Sequence, residues 1–172
     1  MAEQEVTVFL GLGSNLGDRW RNIVRAIDLL GRKVRIEQVS GLYESPPLGE
    51  EYKGHPHFFN AVVKGTTLLE AEALLAFCQG IERTLGRVHP SPHAPRTIDI
   101  DILLYGDKQI TGESLTIPHP RLAKRAFALA PLAELSPDLV APGAGETVAA
   151  LLERAEGKDT LKRLGKLAAP AA

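Results

Sequence analysis

Residues 95–105 read Pro-Arg-Thr-Ile-Asp-Ile-Asp-Ile-Leu-Leu-Tyr. Strict alternation of isoleucine with a polar residue is the signature of a strand with one buried face. Strand side chains alternate sides, so Asp99 and Asp101 share one face, and Ile98, Ile100 and Ile102 point the other way into a core. Aspartate is disfavoured in strands. Two carboxylates hemmed in by apolar residues also repel each other and lose hydration. A cation on the pair offsets both costs. Magnesium carrying a phosphorylated substrate fits, because it takes one or two carboxylates plus phosphate oxygens and water. The other reading is a solvated strand face with two surface aspartates.

The rest of the chain supplies the setting for that strand. Its 172 residues suffice for one domain with a real core, expected to span 1–172, with the core at about 6–156 and a partly frayed tail. A net charge of -1 argues against nucleic acid or an anionic membrane as partner. The single cysteine, Cys78, forms no internal disulfide. No run of 18 apolar residues and no basic N-terminal region occur, so the cytoplasm is the expected location.

The pattern predicts a strand over 6–12 and a helix over 18–30, with Trp20, Ile23, Ile27 and Leu30 near one face and Gly31 as a stop. A strand over 33–43, a proline-rich loop and a strand over 58–66 follow. Residues 67–70 read as a capping box opening a helix to about residue 85, and a second loop leads to the aspartate strand. Beyond it come a short hairpin, a helix over 127–135 and an Ala/Leu/Lys-rich helical tail. Strand, helix, strand, strand, helix, strand predicts an α+β ferredoxin-like sandwich: an antiparallel sheet with both helices on one face.

Cations crowd around the acidic strand. Arg87, His89, His93 and Arg96 precede it, and His119, Arg121, Lys124 and Arg125 follow the next turn. In such a site magnesium bridges phosphates while Arg and Lys hold the remaining charge. Singly, each of these residues is better explained as surface decoration; as a group they are less so, because they bracket the strand that carries the aspartates. Residues 11–17, Gly-Leu-Gly-Ser-Asn-Leu-Gly, lack the Lys-Ser/Thr of a P-loop and read as a tight strand-to-helix turn. Alternation places Phe58 and Asn60 on one strand face and Phe59 on the other. They are either a core Phe with an edge Asn, or a stacking platform and hydrogen-bonding edge for a flat heteroaromatic ring.

Taken in order, these motifs resemble the 6-hydroxymethyl-7,8-dihydropterin pyrophosphokinases of folate biosynthesis. The likeness rests on Gly-Ser-Asn at 13–15, Tyr-Glu-Ser-Pro-Pro-Leu-Gly at 43–49, Phe-Asn-Ala at 59–61, Gln79 with Glu82, and Gly86-Arg87. Its strongest block is 95–102, followed by Pro118-His119 and by Arg125 with Phe127. The resemblance implies a magnesium-dependent enzyme that moves pyrophosphate from ATP to the pterin hydroxymethyl, leaving AMP. It implies that Asp99 and Asp101 hold two magnesium ions, with Arg87 and Arg96 in the catalytic set. Ser45, Pro46, Pro47, Leu48, Phe58, Asn60 and Phe127 would bind the pterin, and Gln79, Glu82, His89, Arg96, Ile102, Thr116, His119 and Arg125 the ATP. A monomer is expected.

The chain departs from the family's pattern in the second loop, where His89 stands in place of an arginine and His93 near the place of a tryptophan. Two rivals remain at this point. A two-metal nucleotidyltransferase would also use paired aspartates but release pyrophosphate. A non-catalytic ferredoxin-like regulatory or RNA-binding module would leave Asp99 and Asp101 unexplained.

Overall fold

The computed structural model describes residues 4–47, 50, 53–86 and 95–167. The element order is β1 (Val6–Ser14), α1 (Arg19–Leu30), β2 (Val34–Val39), β3 (Gly41–Ser45), β4 (Phe58–Thr67), α2 (Ala71–Thr84) and β5 (Asp99–Tyr105). A two-strand hairpin, β6 (Ile110–Thr111) and β7 (Thr116–Ile117), leads through a 3-10 turn at Leu122–Lys124 to α3 (Ala126–Leu135), α4 (Val148–Glu153) and β8 (Lys162–Lys166).

The main sheet runs β5-β1-β4-β3-β8, with β2 also paired to β4, and every pairing is antiparallel. With β2 and β3 counted as one bent strand, this is the ferredoxin-like order. Alternation sorts the side chains into two cores. Val8, Leu10, Ile100 and Ile102 pack with α1 and α2 on one face. Phe9, Val62 and Leu103 pack with Leu129 and Leu132 of α3 and with α4 on the other. Fully burying an Ile contributes about 2 kcal/mol, whereas strand propensity spans only about 1 kcal/mol. The buried Ile98, Ile100 and Ile102 therefore decide that residues 99–105 are a strand despite the aspartates.

Several sequence expectations are corrected. Trp20 is 53% exposed, and α1 buries Ile23, Ala26, Ile27 and Leu30 instead. Trp20 precedes Ile23 by three residues, but it lies in the helix's first turn, beyond the edge of the sheet-facing stripe. The 33–43 strand is broken at Ser40, whose buried hydroxyl accepts from the Val62 N–H at 2.9 Å. One extra residue enters there, since Val39 faces Val63 while Tyr43 faces Asn60, and the resulting bend carries β3 toward the site. The capping box does not form. Thr67 stays in β4, its hydroxyl donating to Lys33 O, and α2 starts after Glu70 without a side-chain cap. The C-terminal tail is not simply helical: residues 162–166 form strand β8 against β3. Among the described residues no helix is long and apolar enough to cross a membrane.

Candidate active site

The site lies on the α3 side of the sheet, where three strands form its floor. In the ladder, Asp99 of β5 faces Gly13 of β1, and Gly13 faces Asn60 of β4. The next row is Asp101, Gly11 and Val62. Directly opposed residues share a face, so both carboxylates stand on the same side as Asn60. Gly11 and Gly13 keep the middle of the floor bare. A methyl at Gly13 would lie 3.4 Å from Asn60 Oδ1 and 3.5 Å from the Phe58 ring, and one at Gly11 3.4 Å from Leu103. The groove exists because the central strand carries no side chain there.

One wall is neutral: Ser45, Pro46 and Pro47 at the end of β3, Phe58 and Asn60 of β4, and Phe127 of α3. Asn60 is buried, and its Nδ2 donates to Ser45 Oγ at 2.8 Å. Phe59 turns to the opposite face, where Arg19 stacks 3.8 Å from its ring centre. The second wall is charged: Arg96, Asp99, Asp101, Arg121 and Arg125, with the Arg125 guanidinium 5.4 Å from the Phe127 ring centre, where the two walls meet.

Electrostatics distinguish the two aspartates. Arg96 Nη1 meets Asp99 Oδ2 at 3.0 Å. Asp101 has a weaker neighbour, His119 Nε2 at 3.9 Å from its Oδ1. Burial, then the positive charge of Arg125, lowers the His119 pKa, so at neutral pH that contact is not an ion pair. Burial, followed by the charges of Asp99 and Glu82, raises the Asp101 carboxyl to about 7, with Arg96 and Arg125 offsetting this only in part. The Asp101 side chain is nevertheless 44% accessible: protein surrounds it, but one side opens onto the cavity. A carboxylate so placed is ready to accept a cation from that side. Among the described residues no group of three or more His, Cys, Asp or Glu is arranged to hold a metal. A pair of carboxylates that leaves coordination positions for phosphate and water suits magnesium.

The structure gathers Ser45, Pro46, Pro47, Phe58, Asn60, Arg96, Asp99, Asp101, Arg125 and Phe127 around one cavity. The other residues implied for ATP lie beside or outside it. Gln79 is exposed on α2 and Thr116 half-buried on β7. Glu82 is buried at the outer edge of β5, its Oε2 accepting from Ile100 N–H at 2.8 Å. Ile102 is buried in the helix-side core, so what it can offer a nucleotide is the backbone of an edge strand. Leu48, Arg87, His89 and His93 lie outside the described residues.

Arg121, one of the cations expected around the acidic strand, lines the cavity, and so do Gly11 and Gly13, to which the sequence reading gives no site role. The local pattern at 11–17 predicts a tight turn, but β1 continues through Ser14. Glycines two apart on one strand face were the available signal for a bare floor.

The family model for 7,8-dihydro-6-hydroxymethylpterin-pyrophosphokinase (HPPK) matches residues 9–137. The 2-amino-4-hydroxy-6-hydroxymethyldihydropteridine pyrophosphokinase of Aquifex aeolicus is 44% identical over 136 residues, covering 79% of this chain and 84% of its own. The folic acid synthesis protein fol1 of Pneumocystis carinii is 46% identical over 86% of this chain, which spans only 20% of that longer protein. The fold matches Plasmodium falciparum HPPK-DHPS, solved with pterin and p-hydroxybenzoate, with a TM-score of 0.72 at 17% identity, over 94% of this chain and 47% of that one. With that match spanning both walls of the groove, the chain belongs to the 7,8-dihydro-6-hydroxymethylpterin-pyrophosphokinase family.

Proposed function

We propose that this chain transfers the pyrophosphoryl group of ATP to the hydroxymethyl oxygen of 6-hydroxymethyl-7,8-dihydropterin, releasing AMP, with the acidic wall holding the triphosphate and the neutral wall the pterin. The observation that carries the reading is the row Asp99, Gly13, Asn60. Adjacent strands are about 4.8 Å apart, so carboxylate and amide stand on strands roughly 10 Å apart across a bare floor. A flat bicycle held at Asn60 can therefore extend its hydroxymethyl arm toward the Asp pair.

The residues divide the work. Phe58 and Phe127 clamp the ring faces, while Asn60 and Ser45 present polar atoms to its edge. Arg96, Arg121 and Arg125 neutralise phosphate oxygens. Two magnesium ions, for which Asp99 and Asp101 are the fitting ligands, would supply the remaining positive charge on the triphosphate. Catalysis then rests on in-line positioning and charge stabilisation rather than covalent chemistry, and no side chain is assigned as a general base. The proposed setting is the cytoplasm, with the chain acting as a monomer and with neither nucleic acid nor membrane as partner; the net charge of -1 supports the absence of a polyanionic partner.

Incubating the chain with ATP, magnesium and the pterin, then separating the nucleotides, tests the reading. AMP and the pterin diphosphate in equal amounts are expected. Release of free pyrophosphate would indicate a nucleotidyltransferase. The absence of any AMP would sink the proposal.

A further inference from the structure

Asn15 is 1% exposed, yet it belongs to the short turn between β1 and α1. A buried asparagine needs partners for its amide, and this one finds them on two segments distant in sequence. Its Oδ1 accepts from Arg96 N–H at 2.7 Å, and its own N–H donates to Arg96 O at 3.0 Å. Its Nδ2 donates to Pro56 O at 3.3 Å. Arg96 is the residue that grips Asp99. Pro56 stands two residues before Phe58, which lines the neutral wall. The turn itself is held from the helix side, where Asn22 Nδ2 donates to Leu16 O at 2.9 Å and to Ser14 Oγ at 3.3 Å. A rigid turn thus fixes, through one amide, the backbone entry to each half of the site.

We propose that Asn15 is a positioning residue that couples the two halves: it sets Arg96 against the acidic wall and the Pro56 end of β4 against the neutral wall. The proposal rests on the function proposed above. It assigns the two ends of the amide separate tasks. The Oδ1 end governs where Arg96 meets the phosphates, and hence turnover. The Nδ2 end governs how β4 presents Phe58 and Asn60, and hence affinity for the ring.

Asn15→Asp separates these tasks, because the isosteric carboxylate keeps the acceptor for Arg96 N–H and loses the donor to Pro56 O. Asn15→Ala loses both. In the full chain, steady-state kinetics are measured for each. The pterin and α,β-methylene ATP are also titrated, each alone and each in the presence of the other, with Tm as a control. Asn15→Asp should raise KM for the pterin ~10-fold with kcat within ~3-fold of wild type. Asn15→Ala should raise KM similarly and lower kcat ~100-fold, the scale of a 1 Å misplacement. Both variants should lose any mutual enhancement of binding between the two ligands that the wild type shows. Should Asn15→Ala fail to fold, the KM-against-kcat split of Asn15→Asp decides alone. Identical kinetics for the two variants, or losses that follow Tm with no split, overturn the coupling. An active wild type with unaltered variants overturns the role of Asn15 alone, whereas a wild type that yields no AMP overturns the underlying function as well.

Discussion

The neutral and acidic walls of the groove are built on opposite principles. On the neutral side, polar groups find partners within the protein. Asn60 donates to Ser45, and Glu134 of α3 accepts from Tyr43 Oη at 2.7 Å, from Gly41 N–H at 2.9 Å and from Arg163 Nε at 3.2 Å. That knot ties α3, which carries Phe127, to β3 and β8. Burial alone would raise the Glu134 pKa, but the hydrogen bonds from Arg163, Tyr43 and Gly41 hold it below the usual carboxylate value. Burial, and then Glu134, pushes the Tyr43 phenol up to about 12, so it stays a donor. On the acidic side Asp99 has Arg96, but at Asp101 burial and like charge outweigh Arg96 and Arg125. One wall is complete before any ligand arrives. The other carries a repulsion that a bound cation would relieve.

That contrast is broken most directly at the aspartates. Asp101→Ala should lower kcat by ~1000-fold or more, since charge stabilisation worth several kcal/mol is lost, while Tm of the ligand-free chain holds or rises. Turnover near wild type would remove Asp101 from the metal-binding set. Asn60→Ala should do the reverse and act on binding. Losing the buried amide costs about 1–3 kcal/mol of pterin affinity, or ~10–100-fold in Kd, with nucleotide affinity unchanged by calorimetry. Equal weakening of both ligands would make Asn60 a scaffold residue.

Gly13→Ala sharpens the view that the floor must be bare. Its methyl meets Asn60 and Phe58 at ordinary contact distances of 3.4 and 3.5 Å, so the fold should survive. The pterin KM should nevertheless rise ~10-fold as the slot fills. An unchanged KM would mean that the ring lies elsewhere.

The smallest effect concerns pH. Asp101 rises from an ordinary 3.8 to about 7 on folding, because burial and its carboxylate neighbours disfavour the charge. The folded state therefore holds this proton where the unfolded chain has lost it. The stability gained is fully present below pH 3.8 and is lost as pH rises through about 7. Without metal or nucleotide, Tm of the wild type should fall between pH 5 and pH 8 by more than that of Asp101→Asn. Parallel profiles would show that Asp101 titrates normally.

Local rules carried much of this reading. Alternation placed Asp99 and Asp101 together and buried Ile98, Ile100 and Ile102 behind them. It also set Phe58 and Asn60 apart from Phe59. Gly31 bounded α1 as a stop, while Asp18, expected inside the helix, is its N-cap. Local rules failed where a distant partner decided the outcome. Residues 162–166 have helix-compatible composition, but β3 offers an open edge, and Lys166 pairs with Gly41 across the sheet. Thr67 resembles a cap, yet Lys33 O claims its hydroxyl.

The sequence by itself determined the strand carrying the acidic pair, the identity of its neighbours on each face and the family, because periodicity and motif spacing are properties of the chain alone. Tertiary structure decided that Gly11 and Gly13 form a floor, that Asp99 stands across it from Asn60, and that Asn15 joins Arg96 to Pro56. Those facts depend on strand order and register, which residues far apart in the chain settle together as they bury one common core.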